Sequence, residues 1–189
     1  EQDTLLSALS AQLRRNFKTL KKLRPPVYYM SYQLYETSAF QANAKAGALQ
    51  FSITDDSGAV DISARVGSVH TDNTHELKGT YTNTDLVSVQ VPLARRDSLA
   101  LRNALWRGTQ AAVENAQQEY NRVLSNKQVS AENMDTSDDF ALPQKNVFCQ
   151  EEKTFEYNRA EIEERLKRLS LQGEKYDFVD ESAFAFRLE

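Results

Sequence analysis

Residues 59–69, AVDISARVGSV, alternate without a break: Val60, Ile62, Ala64 and Val66 fall on one side, Asp61, Ser63 and Arg65 on the other. A period of two with one apolar face marks a half-buried strand. Asp55-Asp56-Ser57-Gly58 precedes it and reads as a turn, because short polar side chains bond their own backbone and Gly accepts positive φ. Before that turn, residues 38–54 (SAFQANAKAGALQFSIT) alternate weakly. Gly47 within that run reads as a bulge or a close backbone approach. The two runs together predict a hairpin.

Working outward, residues 27–35 (VYYMSYQLY) form an aromatic strand, with Tyr28, Met30, Tyr32 and Leu34 on one face and Val27, Tyr29 and Tyr35 on the other. Residues 86–93 (LVSVQVPL) read as a further strand closed by Pro92. Residues 154–157 suggest a short strand. The last strand spans 178–188, with Phe184, Phe186 and Leu188 sharing a face. Because nothing like a turn or cap follows it, the chain reads as the front piece of a longer protein.

Three helices are expected. Over 4–23, Leu5, Leu6, Leu9, Leu13, Phe17 and Leu20 recur at helical spacing. Asp3 or Thr4 caps the start, basic residues crowd the far end, where they suit the helix dipole, and Pro25-Pro26 stops it. Residues 97–125 form the longest helix, capped by Asp97 or Ser98. Leu101, Leu105, Ala112, Ala116, Tyr120 and Val123 make its buried stripe, with Trp106, Thr109 and Val113 beside it. Asn158-Arg-Ala-Glu161 matches a capping box with Asn in the cap position. It opens a helix to about Leu171 that Gly173 ends. Residues 70–85 read as a polar loop, and 126–153 as a flexible surface excursion anchored by Phe140, Leu142, Val147 and Phe148. The fold class is α+β: a mainly antiparallel sheet with helices packed on one face, in a single domain over 1–189.

Composition narrows function by exclusion. The chain has 189 residues, a formal net charge of -4, one Cys and two His. One Cys rules out an internal disulfide and a multi-cysteine metal site. An acidic balance argues against a nucleic-acid footprint, and no apolar run approaches the ~20 residues of a membrane span. The cations of the first helix read as a solvated face.

One cluster has metal-ligand chemistry. His70, Asp72, His75 and Glu76 offer nitrogen and oxygen donors within seven positions. Their spacing lacks the pair of His one helical turn apart around a Glu that a helical zinc site needs, so the expectation is a polar loop with Asx-type turns at Asp72 and Asn73. Cys149 sits among acidic neighbours, which work against a reactive thiolate. No Gly-rich phosphate loop and no nucleophile elbow is present. The expectation is no catalytic, cofactor-binding or metal-binding residue in this chain.

A family resemblance runs along the chain in order. Ala64-Arg-Val-Gly-Ser-Val-His-Thr-Asp-Asn-Thr-His75 resembles the segment Arg-Val-Gly-x-x-x-x-Asp-Asn-[Thr/Ser]-His in the N-terminal part of TldD/PmbA-type metallopeptidases, once described as modulators of DNA gyrase. Pro26-Val-Tyr-Tyr-Met-Ser-Tyr32 is similar to the family's Pro-x-Tyr-x-x-Tyr strand, and Lys45-Ala-Gly-Ala-Leu49 to its Gly-Ala-Leu segment. Val91-Pro-Leu93, then Leu101-Arg-Asn-Ala-Leu-Trp106 and Thr109, look like its Pro-Leu strand end and Leu-Arg-x-x-Leu-Trp-x-x-Thr helix. Phe155-Glu-Tyr-Asn-Arg159 also fits.

The resemblance covers residues 4–187 and is closest to the secreted, stand-alone branch. It implies an N-terminal α+β domain that helps form a homo- or heterodimer and the walls of a cavity admitting unfolded peptide. It implies zinc in a downstream half, held by a His-Glu-x-x-x-His helix and a later Cys, neither of which this chain contains. It also implies export to the periplasm with a leader removed, although a cytoplasmic location stays open. The alternative reading is a stand-alone cell-envelope binding or interaction protein without enzymatic activity.

Overall fold

The computed structural model describes residues 2–77, 86–92, 98–129, 137–148, 150 and 155–188. The elements in chain order are α1 (Gln2–Leu20), β1 (Val27–Lys45), β2 (Ala48–Ser68), β3 (Thr71–Asp72), β4 (Leu86–Val91), α2 (Ser98–Val129), α3 (Arg159–Ser170), a 3₁₀ turn (Gly173–Lys175) and β5 (Ala183–Leu188). The class is α+β, with a sheet ordered β3-β2-β1-β5 and β4 also paired to β2. Strands β3, β4 and β5 pair antiparallel to their neighbours. Two compact units divide the chain, residues 1–35 with 58–145 and residues 36–57 with 146–189; β1 and β2 contribute to both. Among the described residues no helix is long and apolar enough to cross a membrane.

The principal departure from expectation is the hairpin. The turn predicted at 55–58 is continuous strand, and Gly58 pairs with Val91 of β4. The chain reverses instead at Ala46 and Gly47, whose φ values are 47° and 75°. Two central residues at positive φ match the twist of the flanking strands, so Gly47 makes the turn itself rather than a bulge. Of the four residues expected to turn, Gly58 alone has a ladder partner in β4, while residues 55–57 simply continue β2 as strand.

In the first unit the alternation of β2 is realised as predicted: Val60, Ile62, Ala64 and Val66 are fully buried. They pack with Val27, Met30, Leu9, Leu101, Leu105, Ala112, Val113 and Ala116 in one core. Helix α1 ends at Leu20 rather than Leu23, and bonds from Lys22 N to Thr19 O and Leu23 N to Leu20 O tighten its exit. Its first three side chains and the Asp97 cap lie outside the described residues, as does the Ser98 side chain.

Helix α2 runs to Val129, into the stretch read as an excursion. Its predicted stripe is buried except for Tyr120, which is partly buried, and Thr109 and Val113 are also buried. Trp106 corrects the reading: it is 55% exposed. It lies one residue, about 100°, round the helix from Leu105, beyond the stripe facing the sheet.

In the second unit Phe40, Ala42, Ala44 and Leu166 form a small core, with Leu49, Ile162 and Phe186 against it. Helix α3 begins as predicted: Asn158 Oδ1 accepts from Glu161 N at 3.3 Å. It ends at Ser170, before Gly173, which instead starts the 3₁₀ turn. Ser170, fully buried, receives Gly47 N on its hydroxyl at 2.9 Å and Ser182 Oγ on its carbonyl at 2.5 Å. One residue thereby ties the hairpin turn and the approach to β5 to the helix end.

Residues 155–157 are not a strand; Tyr157 stacks on Phe40 with ring centroids 5.0 Å apart as the chain enters α3. The last strand is shorter than expected, beginning at Ala183 after turns over 176–178. Phe184, Phe186 and Leu188 stand opposite Ala44, Ala42 and Phe40, so they share a face as predicted.

Candidate functional site

The motif Arg65-Val-Gly-Ser-Val-His-Thr-Asp-Asn-Thr-His75 lies wholly in the first unit, where β2 ends and folds back as β3. Gly67 pairs with Asp72 and Ser68 with Thr71. Gly67 has φ 112°, and a Cβ there would sit 2.5 Å from Tyr120 Cε2 and 2.6 Å from Thr71 O. Both the backbone angle and the space demand Gly. Asn73 then takes the place of a strand neighbour: its Oδ1 accepts from Val66 N at 2.7 Å and its Nδ2 donates to Ala64 O at 3.4 Å.

Asp72 is the centre of the cluster. It is fully buried, and each carboxylate oxygen has two donors. Oδ2 accepts from Tyr28 Oη at 2.5 Å and Arg65 Nη1 at 2.8 Å. Oδ1 accepts from Thr74 N and Thr74 Oγ1, both at 2.7 Å. Arg65 Nη1 also donates to Thr74 Oγ1 at 2.7 Å, so the hydroxyl closes a ring between cation and anion. Burial alone raises the Asp72 pKa; the hydrogen bonds from Tyr28, Arg65 and Thr74 outweigh it and hold the carboxyl below its usual range. Burial first, and then the Asp72 carboxylate, push the Tyr28 phenol well above its usual range. The pair is therefore fixed as carboxylate and neutral phenol.

Residues 138–140, read from sequence as surface excursion, complete the site. Asp139 Oδ2 accepts from Asp72 N at 2.8 Å, and Asp139 Oδ1 lies 2.6 Å from His75 Nδ1. The His75 and Asp139 side chains are 8% and 9% exposed. On the exposed side His70 Nδ1 meets Asp138 Oδ1. Phe140 N donates to Val69 O at 3.2 Å. The Phe140 ring lies under the Arg65 guanidinium, 3.9 Å from Cζ, and 4.8 Å from the Tyr29 ring. The segment thus attaches through backbone, carboxylates and an aromatic face together.

The four candidate ligands are divided among different partners. Asp72 is saturated by Tyr28, Arg65 and Thr74; His75 turns to Asp139 and His70 to Asp138; Glu76 is exposed. Among the described residues no three His, Cys, Asp or Glu side chains converge as a metal-ligand set. Cys149 lies outside the described residues. The reading from sequence missed Asp138, Asp139 and Phe140 as partners. Their signal was present as a carboxylate pair followed by an isolated apolar residue, but nothing local pointed to residues some 65 positions earlier.

Around Asp72 the arrangement is saturated with hydrogen bonds. Its buried carboxylate has no unfilled acceptor position, and its Tyr is kept protonated. No family model matches this chain, and no curated protein or solved structure matches it.

Proposed function

We propose that this chain is the non-catalytic N-terminal domain of an exported TldD/PmbA-type zinc metallopeptidase, contributing assembly and peptide-substrate access. The supporting observation is the interlocking of the motif. Arg65, Gly67, Asp72, Asn73, Thr74 and His75 are the residues that carry the resemblance, and each has a contact that builds one clamp at the end of β2. A motif whose polar atoms are spent on one another serves a scaffold. In that reading the metal, its ligands and the hydrolytic step belong to a downstream half.

The test is the reading frame that follows this chain. A His-Glu-x-x-x-His pattern with a later Cys is expected downstream, and the whole product should bind zinc and cleave unfolded peptide. A reading frame without that pattern overturns the proposal. The second reading, a stand-alone cell-envelope binding protein without enzymatic activity, is favoured by an open groove in the first unit.

A further inference from the structure

The groove between α1 and α2 is lined by side chains of both signs, Arg15 and Glu114 among them, so its charge selects no occupant. The β2–β3 turn differs, because an occupant is already seated on it. Residues 138–140, Asp-Asp-Phe, touch the turn as a bound peptide would. Asp139 Oδ2 accepts from Asp72 N at 2.8 Å, and Asp139 Oδ1 lies 2.6 Å from His75 Nδ1. Asp138 meets His70, so each of the chain's two histidines receives one carboxylate. Phe140 sets its ring 3.9 Å from Arg65 Cζ, and its N–H donates to Val69 O at 3.2 Å.

The surface beneath is built without this segment. Strand pairing of Gly67 with Asp72 and Ser68 with Thr71 forms the turn. Asn73 bonds Val66 N and Ala64 O, and Tyr28, Arg65 and Thr74 fill the Asp72 carboxylate. None of those bonds uses residues 138–140. The turn therefore presents a preformed set to its occupant: the Asp72 N–H, two imidazoles, the Val69 carbonyl and a guanidinium that takes an aromatic face. Peptide-recognition sites combine main-chain bonds, which give affinity, with side-chain contacts that give specificity. The next five residues, 141–145, are all exposed and lie in no helix or strand. A ligand tethered to its own site sees an effective concentration of roughly millimolar for a short linker. Contacts too weak to hold a free tripeptide thus keep this one seated, and still let it exchange with a competitor.

We propose that the β2–β3 turn is a recognition site for an acidic–acidic–aromatic segment of a partner protein. Asp138-Asp139-Phe140 is its internal ligand, and the partner's segment displaces it. A second copy is the poorer occupant: its own segment is already engaged, so exchange adds no contact and costs association entropy. The proposal does not rest on the family resemblance.

The test is a peptide added in trans. Ser-Asp-Asp-Phe-Ala-Leu, the sequence of residues 137–142, carries a fluorophore and is titrated by anisotropy against the full chain and its Asp139→Ala, Phe140→Ala double variant. The double variant should bind it saturably. The wild type should bind at least ~10-fold more weakly, because apparent affinity scales with the fraction of the site that is open. On the double variant, a peptide with both Asp replaced by Asn, or with Phe replaced by Ala, should each bind at least ~10-fold more weakly. If the double variant loses its melting transition, hydrogen exchange of the wild type decides instead. Excess peptide should then speed exchange at Phe140 N and leave Asp72 N protected, since the segment leaves and the site stays filled. No binding to a folded double variant overturns the proposal. So do equal binding by wild type and variant, equal binding of the Asn or Ala peptides, or Phe140 exchange untouched by excess peptide. A wild-type dimer that the peptide dissociates also overturns it, by making a second copy the occupant.

Discussion

Arg65 Nη1 lies 2.8 Å from Asp72 Oδ2, with the two side chains 17% and 0% exposed. Tyr28 and Thr74 fill the remaining contacts of the carboxylate. Removing one partner of a buried pair strands the other, so Asp72→Ala should destabilise the protein by about 3–5 kcal/mol. Urea unfolding measures it. A loss below ~1 kcal/mol, the size of a surface pair, would show that Arg65 and Tyr28 find water or other partners.

Stability should fall at both pH extremes through this cluster. Asp72 titrates below its ordinary value of 3.8 in the folded protein. The unfolded chain therefore takes up the proton first, and the stabilisation present above that pH is lost as pH falls through the folded value. Tyr28 titrates above its ordinary value of 10.0, and so does Tyr32, which lies outside this cluster with Asn16 and Thr109 as its partners. There the unfolded chain loses its proton first, so stability declines as pH rises past 10. Tyr28→Phe should make the alkaline limb shallower, leaving the share of Tyr32, and Asp72→Asn should make the acid limb shallower in melts across pH. Unchanged limbs would contradict the assignment.

Asp139 is the bond between residues 138–140 and the β2–β3 turn. Asp139→Ala leaves Asp72 N and His75 Nδ1 without their acceptor, a cost of about 1–3 kcal/mol for buried groups. It should also speed limited proteolysis within 137–148 and hydrogen exchange at Asp72 N. Proteolysis at the wild-type rate would mean that Phe140 and the Asp138–His70 pair hold the segment without Asp139.

On α2, Leu105→Ala should cost about 2–5 kcal/mol, because the side chain is fully buried. Trp106→Ala should cost less than ~1 kcal/mol, since a half-exposed residue outside the core leaves no cavity. Equal losses would show that Trp106 is sequestered in solution.

Patterns carried by a single element were legible in the sequence. The alternation of Val60 to Val66, the α2 stripe from Leu101 to Val123 and the Asn158 cap are local signals, and each is realised. Competition between elements was less legible. Asp55 to Gly58 and Ala46-Gly47 both carry turn residues, and the chain reverses where two successive residues take positive φ. Trp106 is large and apolar, yet its angular position on the helix outweighs its hydrophobicity. At the candidate site, the Asx geometry of Asp72 and Asn73 could be anticipated from residue type. That Asp139 and Phe140 complete it could not, because the contact spans some 65 residues and depends on where α2 returns the chain.

The central claim is that the motif around Asp72 is a structural clamp, and a double-mutant cycle on Arg65 and Asp72 tests it most directly. Urea unfolding of Arg65→Met, Asp72→Asn and the double variant yields their coupling. The account predicts a coupling of about 0.5–3 kcal/mol, the range of residues within one hydrogen-bond and salt-bridge network. Effects that add to within ~0.5 kcal/mol would contradict it.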